Sequence, residues 1–251
     1  MAKAERSLLV TGGSRGIGAA VCLLAAQRGY AVAINFATNK QAADALIAQI
    51  IEQGGRAIAV QGDVSIEADV VSMFEAVTGE FGGLDAFVNN AGIVAEASQV
   101  ADMSIERLER MIRVNLTGAI VCAREAVRLM STKRGGNGGS IVNVSSVAAT
   151  LGGYGQYVDY AATKGAIDTL TIGLAREVAE EGIRVNGVRP GIIDTEIHAS
   201  GGQPDRPARL SHLIPVKRPG TAQEVAEAIL YLLSDNASYI TGATLDVTGG
   251  R

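Results

Sequence analysis

Ser7-Leu8-Leu9-Val10 runs directly into Thr11-Gly12-Gly13-Ser14-Arg15-Gly16-Ile17-Gly18, and this stretch decides the fold. The apolar run predicts a buried strand, and a helical pattern begins after the glycines. Glycines at such a junction let the chain turn sharply and let a phosphate approach the backbone, where the helix N-terminus offers free N–H groups. The alternative is a tight turn with no ligand, but the strand before and the helix after favour a dinucleotide site.

Short apolar runs alternate with segments of helical period along the rest of the chain. The runs predict seven strands: Ser7–Val10, Ala31–Ile34, Ala57–Val60, Ala86–Val88, Ser140–Val144, Ile183–Val188 and Thr244–Val247. Most are continuously apolar, which is typical of strands buried on both faces of a parallel sheet. We therefore expect an α/β fold in which residues 1–251 form a single Rossmann-type, doubly wound domain. Its seven-stranded parallel sheet should carry helices on both faces.

The ends of the predicted helices carry recognisable caps. Glycine follows four of the helical segments, at Gly29, Gly54, Gly82 and Gly182, where a left-handed backbone conformation costs little. Thr221 with Glu224 predicts a capping box at the start of the last helix. Cys22 and Cys122 lie inside helical patterns, and we interpret them as small buried hydrophobes rather than a disulfide.

The composition argues against several classes of protein. Of the 251 residues, 47% are hydrophobic and 19% charged, so the chain can bury a sizeable core. A net charge of −4, 4% aromatic residues and no Trp argue against a nucleic-acid partner. No apolar run reaches the ~20 residues that span a bilayer, and residues 1–6 lack the apolar stretch of a signal peptide. We expect a cytoplasmic protein with no membrane partner.

Two segments lack strand or helix periodicity. Gly135–Gly139 is expected to be a surface connection within the domain rather than a linker between domains. Residues 192–215, rich in Pro and Gly, are expected to form a long loop that acts as a substrate lid. His198 and His212 lie in this loop without neighbours at metal-ligand spacing, so we interpret them as polar surface residues and expect no metal.

Seven elements follow one another in a fixed order between residues 7 and 250. They are the Thr11–Gly18 turn, Asp63-Val64, Asn89-Asn90-Ala91-Gly92, Asn115, Ser145-Ser146, Tyr160 with Lys164, and Pro190-Gly191 with Thr195. This series resembles the short-chain dehydrogenase/reductase family. The resemblance implies an NADP(H)-dependent oxidoreductase that interconverts a carbonyl and a secondary alcohol. The cofactor would supply the hydride, and the protein would position the reactants and supply the protons.

The resemblance also implies a role for each matching residue. Tyr160 would be the acid/base, Ser146 would hydrogen-bond the substrate oxygen, Lys164 would bind the nicotinamide ribose, and Asn115 would keep a water in the proton relay. The implied cofactor-binding set is Gly12, Ser14, Arg15, Gly16, Ile17, Gly18, Asp63, Val64, Asn89, Ala91, Gly92, Tyr160, Lys164, Pro190, Gly191, Ile193 and Thr195.

Tyr160 and Lys164 are four residues apart on a predicted helix and so share one face. An ammonium ~5 Å from the phenol, at an effective dielectric of about 20, would stabilise the phenolate by ~3 kcal/mol. We therefore expect the pKa of Tyr160 to fall below its usual value of about 10. The alternative is an ordinary exposed Tyr/Lys pair.

One spacing departs from the family pattern. Tyr160 lies fourteen positions after Ser146, whereas the family spacing is commonly one residue shorter. The extra residue is assigned to the loop Gly152-Gly153-Tyr154-Gly155, and Ser145 stays open as the alternative to Ser146.

The cofactor preference rests on the end of the second strand. NAD-preferring members usually carry an acidic residue there for the adenosine ribose hydroxyls. Here that place falls at Phe36, after Asn35, so nothing repels a 2′-phosphate. Arg15 resembles the basic residue beside that phosphate, and Lys40 could add charge or simply be solvated. We expect NADP(H) to be preferred, with NAD(H) or dual specificity as the alternative.

The substrate is not determined by the sequence. In its overall sequence the chain is similar to 3-oxoacyl-carrier-protein reductases and glucose 1-dehydrogenase-like proteins. The lid at residues 192–215 contains both apolar and charged side chains, so it selects no substrate class. The family is usually tetrameric, and the small residues Ala161, Ala162, Gly165 and Ala166 would let two helices approach closely, so we expect a homotetramer. The alternative function is a catalytically silent NADP(H)-binding sensor or regulatory subunit.

Overall fold

Seven strands form one parallel sheet at the centre of the protein. The structure, a computed structural model, describes residues 6–251. The strands are β1 (Arg6–Val10), β2 (Tyr30–Phe36), β3 (Arg56–Gln61), β4 (Ala86–Asn89), β5 (Gly139–Val144), β6 (Ile183–Pro190) and β7 (Thr244–Val247). Their order in the sheet is β3-β2-β1-β4-β5-β6-β7, and each neighbouring pair is parallel. The predicted fold class is confirmed, and the predicted strands agree within two residues at either end.

Helices cover both faces of the sheet. They are α1 (Gly16–Gln27), α2 (Lys40–Glu52), α3 (Glu67–Phe81), α4 (Ile105–Ile112), α5 (Ala119–Met130), α6 (Ala148–Leu151), α7 (Val158–Val178), α8 (Ile197–Ser200), α9 (Arg206–Leu210) and α10 (Ala222–Leu233). A π-helical turn at Arg113–Gly118 joins α4 to α5.

The strand residues divide their side chains between two apolar layers. Leu8 and Val10 pack with α1, α2 and α10, whereas Leu9, between them, packs with α3, α5 and α7 on the other face. Because successive side chains of a strand point to opposite faces, both sets must be apolar. This is why the runs read as continuously apolar in the sequence.

The caps form as the sequence predicted. Gly29, Gly54, Gly82 and Gly182 have φ angles between 75° and 82°. At α10, Thr221 Oγ1 accepts from the Glu224 N–H at 3.2 Å, and the Glu224 carboxylate accepts from the Thr221 N–H at 2.8 Å.

The expectation of an irregular loop at 192–215 was wrong in part. The segment contains two short helices, α8 and α9, and a 3-10 turn at Ser211–Leu213. Pro207 lies in the first turn of α9, a position where proline is tolerated because its missing N–H has no helical partner to lose. One of the prolines that suggested a loop therefore lies at the start of a helix.

The two cysteines lie in opposite apolar layers. Cys22, on α1, belongs to the layer with α2 and α10, and Cys122, on α5, belongs to the other. Both are buried free thiols, as expected. Burial raises the pKa of both, that of Cys122 to about 12. Among residues 6–251, no helix combines the length and apolar character needed to cross a membrane.

The capping box gives a direct test of the local structure. Thr221→Ala removes the acceptor for the Glu224 N–H and should lower the free energy of unfolding by about 1 kcal/mol. For a chain of this size we expect the Tm to fall by ~2–4 °C in a calorimetric scan.

Thr221→Ser keeps the hydroxyl and is the matched control, which should retain most of the stability. Equal losses in the two variants would show that the threonine methyl group, not the cap, is responsible.

Candidate active site

The loops at the carboxyl ends of β1 and β4 are tied together. Thr11 Oγ1 accepts from the backbone N–H groups of Asn90 (2.9 Å) and Ala91 (3.1 Å). Asn90 Nδ2 donates in return to the carbonyls of Thr11 (2.8 Å) and Gly12 (3.1 Å). The strand order reverses between β1 and β4, and ligands of such sheets bind in the crevice at this point.

A cavity of about 750 Å³ extends along these loops. It brings together eleven of the residues predicted to bind a cofactor. They are Gly12, Ser14, Arg15, Gly16, Ile17, Gly18, Asp63, Val64, Ala91, Gly92 and Thr195. Asp63 Oδ1 accepts from the backbone and hydroxyl of Ser65, which shapes the turn after β3 at the cavity wall.

The glycine turn has the shape that a phosphate needs. Gly12 and Gly16 have φ angles of 60° and 53°, and a Cβ on Gly18 would lie 2.4 Å from the Gly12 carbonyl oxygen. Arg15 stands at the N-cap of α1, and no side chain caps the helix there. The first N–H groups of α1 are thus left for an anion in the cavity, so the turn fits a dinucleotide pyrophosphate.

Asn35, at the end of β2, holds this turn in place. Its Oδ1 accepts from the Gly12 N–H at 3.0 Å, and its carbonyl accepts from the Gly13 N–H at 2.8 Å. Its Nδ2 donates to the carbonyls of Val60 and Gly62 at the end of β3. The sequence reasoning considered Asn35 only as a non-acidic residue. The one signal in the sequence was a polar side chain at the end of an otherwise apolar strand.

Asn89 was predicted to bind the cofactor, but the structure places it away from the cavities. Its side chain is buried and donates to the Ala119 carbonyl (2.9 Å) and to Asn143 Oδ1 (3.1 Å). It lines neither of the two cavities described here, because it points into the protein from the last position of β4. The next residue, Asn90, leaves the strand and lines both cavities.

A second cavity, of about 480 Å³, adjoins the first. Ile17, Asn90, Gly92, Thr195 and Ile197 line both. The remaining predicted site residues on its wall are Ser145, Ser146, Tyr160, Lys164, Pro190, Gly191 and Ile193. Ser146, Tyr160 and Lys164, three of the four residues predicted for catalysis, therefore lie in a cavity that adjoins the glycine turn, although that turn is distant from them in the chain.

Burial controls the protonation of Tyr160. Desolvation raises the pKa of its phenol, and the Ser146 hydroxyl, which hydrogen-bonds the phenol, acts in the opposite direction. The expected fall in pKa is therefore wrong for this state of the protein. Lys164 Nζ lies 5.7 Å from the centroid of the tyrosine ring, and the loss of water around the phenolate outweighs that charge.

Lys164 is itself held in the interior. Its side chain is 4% exposed, and Nζ donates to the Val144 carbonyl at 2.7 Å. Desolvation lowers its pKa to about 8, and the nearby Asp168 carboxylate acts in the opposite direction. At neutral pH the lysine remains mostly charged.

Asn115 lies in the π-helical turn between α4 and α5. Its Oδ1 accepts from the Ile93 N–H at 2.8 Å, and its Nδ2 donates to the Ile93 carbonyl at 2.9 Å. A Cβ on Gly92 would lie 3.3 Å from Asn115 Oδ1 and 3.5 Å from Lys164 Nζ, so Gly92 separates the two side chains. The extra residue of a π turn re-aims a side chain, and such turns are frequent at functional sites.

The two adjacent serines differ in their contacts. Ser145 is buried and its hydroxyl donates to the Lys164 carbonyl at 3.0 Å. Ser146 is half-buried and its hydroxyl contacts Tyr160 and accepts from the Ala148 N–H at 3.1 Å. This geometry favours Ser146 for contact with a substrate. Gly152, Gly153 and Gly155, in the loop assigned the extra residue, all have positive φ angles.

A buried ion pair lies directly before the tyrosine. Arg107, on α4, contacts both oxygens of Asp159 at 2.7 and 3.2 Å and donates to the Glu96 carbonyl. The Asp159 side chain is 3% exposed. This pair joins α4, the 93–98 segment and the start of α7, and so fixes the turn of helix that carries Tyr160.

His198 was expected on the surface, and that interpretation was wrong. It is half-buried, lines the second cavity, and its Nε2 lies 2.9 Å from the Ile193 carbonyl oxygen. Burial lowers its pKa. The cause is the folding of α8 onto the cavity, which the sequence pattern did not predict. His212 is exposed, as expected.

The chain is similar to known proteins over nearly its whole length. A family model described as enoyl-(acyl carrier protein) reductase, of the short-chain alcohol dehydrogenase type, matches residues 12–251. An oxidoreductase from Escherichia coli, YgfF, described as uncharacterized, is 55% identical over 97% of this chain and 98% of its own.

Two solved structures have nearly the same fold. A 3-ketoacyl-(acyl-carrier-protein) reductase from Brucella melitensis, complexed with NADH, has a TM-score of 0.90 and 32% identity, with 98% of each chain covered. A short chain dehydrogenase from Burkholderia cenocepacia, in complex with NADP, has a TM-score of 0.89 and 33% identity, covering 99% of this chain and 98% of its own.

The burial of Lys164 predicts how stability changes with pH. The folded-state pKa of about 8 lies below the ordinary 10.5, so the unfolded chain binds more protons between these values and wild-type stability rises with pH there. Lys164→Met removes the buried charge. It should therefore be more stable than wild type at pH 7, by up to about 3 kcal/mol, and lose this advantage towards pH 10.

Urea unfolding at pH 7 and pH 10 measures the difference. Lys133→Met, at an exposed lysine, is the matched control, and its stability difference from wild type should change much less between the two pH values than that of Lys164→Met. A constant difference for Lys164→Met would contradict the burial argument.

Proposed function

The chain belongs to the short-chain dehydrogenase/reductase family of oxidoreductases, and from this we propose that it interconverts a carbonyl and a secondary alcohol with NADP(H). Tyr160 is the proposed acid/base. The observation that carries the proposal is the meeting of Tyr160, Ser146 and Lys164 on the wall of a cavity that adjoins the glycine turn.

The residues present fit a nicotinamide dinucleotide. In this proposal the glycine turn and the N-terminus of α1 hold the pyrophosphate, and Asp63 and Val64 lie beside the adenine. Thr195 lines both cavities, and Pro190, Gly191 and Ile193 continue the wall towards Tyr160, so these residues hold the nicotinamide end. The bound cofactor supplies or accepts the hydride.

Tyr160 supplies the proton in the reductive direction. Because burial raises the pKa of its phenol, the proton is present at neutral pH and can be donated to the developing alkoxide. Ser146, which contacts the phenol, orients the substrate oxygen towards it. In the oxidative direction the phenolate must form, and the Lys164 ammonium, anchored on the Val144 carbonyl, stabilises it.

The proposed preference for NADP(H) rests on the charges around the first cavity. Phe36 and Asn35 stand where an acidic residue would repel a 2′-phosphate, and Arg15 is an exposed cation on the cavity wall. α4 and the π turn after it contribute two carboxylates and two guanidinium groups, Glu106, Glu109, Arg110 and Arg113, and Asp63 and Glu196 are further carboxylates on the wall. Lys40 is paired with Asp44 at 2.7 Å and does not line the cavity.

The proposed chemistry depends on the phenolic oxygen of Tyr160. Tyr160→Phe should lower kcat by roughly 10²- to 10⁴-fold because it removes the proton donor while keeping the ring. The measurement follows absorbance at 340 nm with NADPH and then NADH against ketones, diketones, 3-oxoacyl thioesters and sugars. Cofactor affinity, from quenching of protein fluorescence or calorimetry, should be nearly unchanged.

Two results would redirect the proposal. Binding of NADPH without turnover of any carbonyl would favour a sensor or regulatory subunit. Undiminished turnover by Tyr160→Phe would show that another group transfers the proton.

Cofactor preference has its own test. Arg15→Ala should weaken NADPH binding by roughly 10- to 100-fold, the value of one hydrogen bond to a charged group, and leave NADH binding little changed. Lys40→Ala removes the same charge outside the cavity and should change neither affinity. Equal losses of NADPH and NADH in Arg15→Ala would argue for dual specificity.

We also propose a homotetramer built through α7. Ala162 on this helix is exposed and a Cβ at Gly165 or Gly173 would meet open space, so a second helix could approach closely. Ala161, which the sequence placed on the same face, instead packs inwards. Light scattering should give the mass of four chains, and the mass of one would contradict this assembly.

A further inference from the structure

The second cavity carries more positive charge than the proposed chemistry uses. Besides Lys164, two arginines line it, Arg206 on α9 and Arg251. No Asp or Glu is among the described residues on its wall. Lys164 is already engaged with the Val144 carbonyl beside Tyr160. The two arginines therefore form a separate basic site in the same cavity.

Arg206 is held in place by neutral groups. Its guanidinium lies 4.9 Å from the centroid of the Tyr157 ring and donates to Gln156 Oε1 at 2.5 Å, with Gln203 Oε1 at 3.4 Å. Tyr157 is fixed in turn, because its hydroxyl accepts from Gln203 Nε2 at 2.7 Å. These contacts orient the guanidinium without neutralising it.

The charge of Arg206 has no counterion among residues 6–251. Its ion-pair partners would have to be carboxylates, and none lies within 4.0 Å of it in the described part of the chain. Its neighbour on α9, Arg209, shows the usual alternative, since it is paired with Asp205 at 3.6 Å. Arg206 is half-buried, and burial lowers the pKa of its guanidinium; Tyr157 acts in the opposite direction, whereas the charges of Arg209 and then Arg251 repel that of Arg206. Two like charges in a partly desolvated cavity are costly unless an anion joins them.

Apolar side chains form much of the rest of the wall, among them Val94, Leu151, Ile192, Ile197, Leu210 and Leu213, and uncharged polar residues such as Asn90, Ser146, Gln156 and Thr195 complete it. His198 also lines this wall, and burial lowers its pKa, so it adds no charge at pH 7. This lining suits a molecule that combines an apolar body with a carbonyl and an oxyanion.

We propose that the substrate is a carbonyl compound carrying a carboxylate or phosphate, which Arg206 and Arg251 bind while Tyr160 faces the carbonyl. This rests on the proposed oxidoreductase function and narrows it to a substrate class. A planar guanidinium binds either anion through two parallel hydrogen bonds, so both belong to the same recognition chemistry.

The test compares substrates that differ only in charge. Linear oxo acids with four to ten carbons, their methyl esters, and hydroxyketone phosphates with their free alcohols are assayed with NADPH at 340 nm. For wild type we expect kcat/KM to be roughly 10- to 100-fold higher for the charged member of the better series, as for a charge-assisted hydrogen bond. The series that shows the larger ratio identifies carboxylate or phosphate as the natural group.

Variants assign the ratio to the basic site. Arg206→Gln should lower the charged-to-neutral ratio towards one, Arg251→Gln should lower it partly, and Arg206→Lys should restore part of it. Arg176→Gln, at an exposed arginine of α7 that lines neither cavity, makes the same change in net charge and should keep the wild-type ratio.

The outcomes separate this inference from the proposed function. Turnover of neutral ketones with a wild-type ratio near one, or equal losses for acid and ester in Arg206→Gln, would overturn the inference and leave the oxidoreductase assignment intact. If no compound is turned over, calorimetry with hexanoate and with inorganic phosphate decides the question. Binding that is lost in Arg206→Gln and kept in Arg176→Gln supports the anion site, and no binding to wild type refutes it.

Discussion

Four hydrogen bonds between Thr11–Gly12 and Asn90–Ala91 join the loops after two neighbouring strands, and the whole site depends on this junction. The chain leaves β1 towards one face of the sheet and β4 towards the other, so a crevice opens where the two paths diverge. The junction demands a close approach, since a Cβ on Gly12 would lie 3.2 Å from Ala91 Cα. The glycine therefore serves the packing of the loops as well as a ligand. Asn35 secures the same turn from its other side, through the Gly12 and Gly13 N–H groups.

Low polarity around Tyr160 and Lys164 has opposite effects on folding and on chemistry. Burying an ammonium opposes folding, and here the Val144 carbonyl and the Asp168 carboxylate offset only part of that cost. The same burial keeps the phenol protonated and leaves the charge of Lys164 poorly screened near Tyr160, the proposed acid/base. Asp168 also forms an ion pair with Arg189 at 2.8 Å, while its Oδ1 is buried without a hydrogen-bond partner among the described residues. Sites that concentrate charge in this way commonly give up stability for activity.

The sequence predicted what depends on local pattern. The inner strands were recognisable because both of their faces are buried, and the glycine turn because a strand precedes it and a helix follows. Asn89 and Asn90 show the limit of this reasoning, since the motif alone does not indicate that Asn89 points into the protein whereas Asn90 lines the cavities. His198 and Arg206 show another, because their place on the wall of the second cavity depends on how α8 and α9 fold over it. The π turn that places Asn115 has no period of its own in the sequence, and the pKa of Tyr160 depends on a desolvation that sequence spacing cannot reveal.

The two buried thiols have a consequence for how the protein opens. Cys22 lies in the layer of α1, α2 and α10, and Cys122 in the layer of α3, α5 and α7, so each marks one side of the sheet. A thiol with a raised pKa and no access to solvent reacts only when its surroundings loosen. The rate at which a small alkylating reagent modifies each cysteine thus measures how often the apolar layer around it opens to solvent. Cys22 Sγ lies 3.6 Å from the Gly13 carbonyl oxygen, in the glycine turn. If Cys22 is modified before Cys122, the layer of α1, α2 and α10 opens locally without opening of the layer that contains α7.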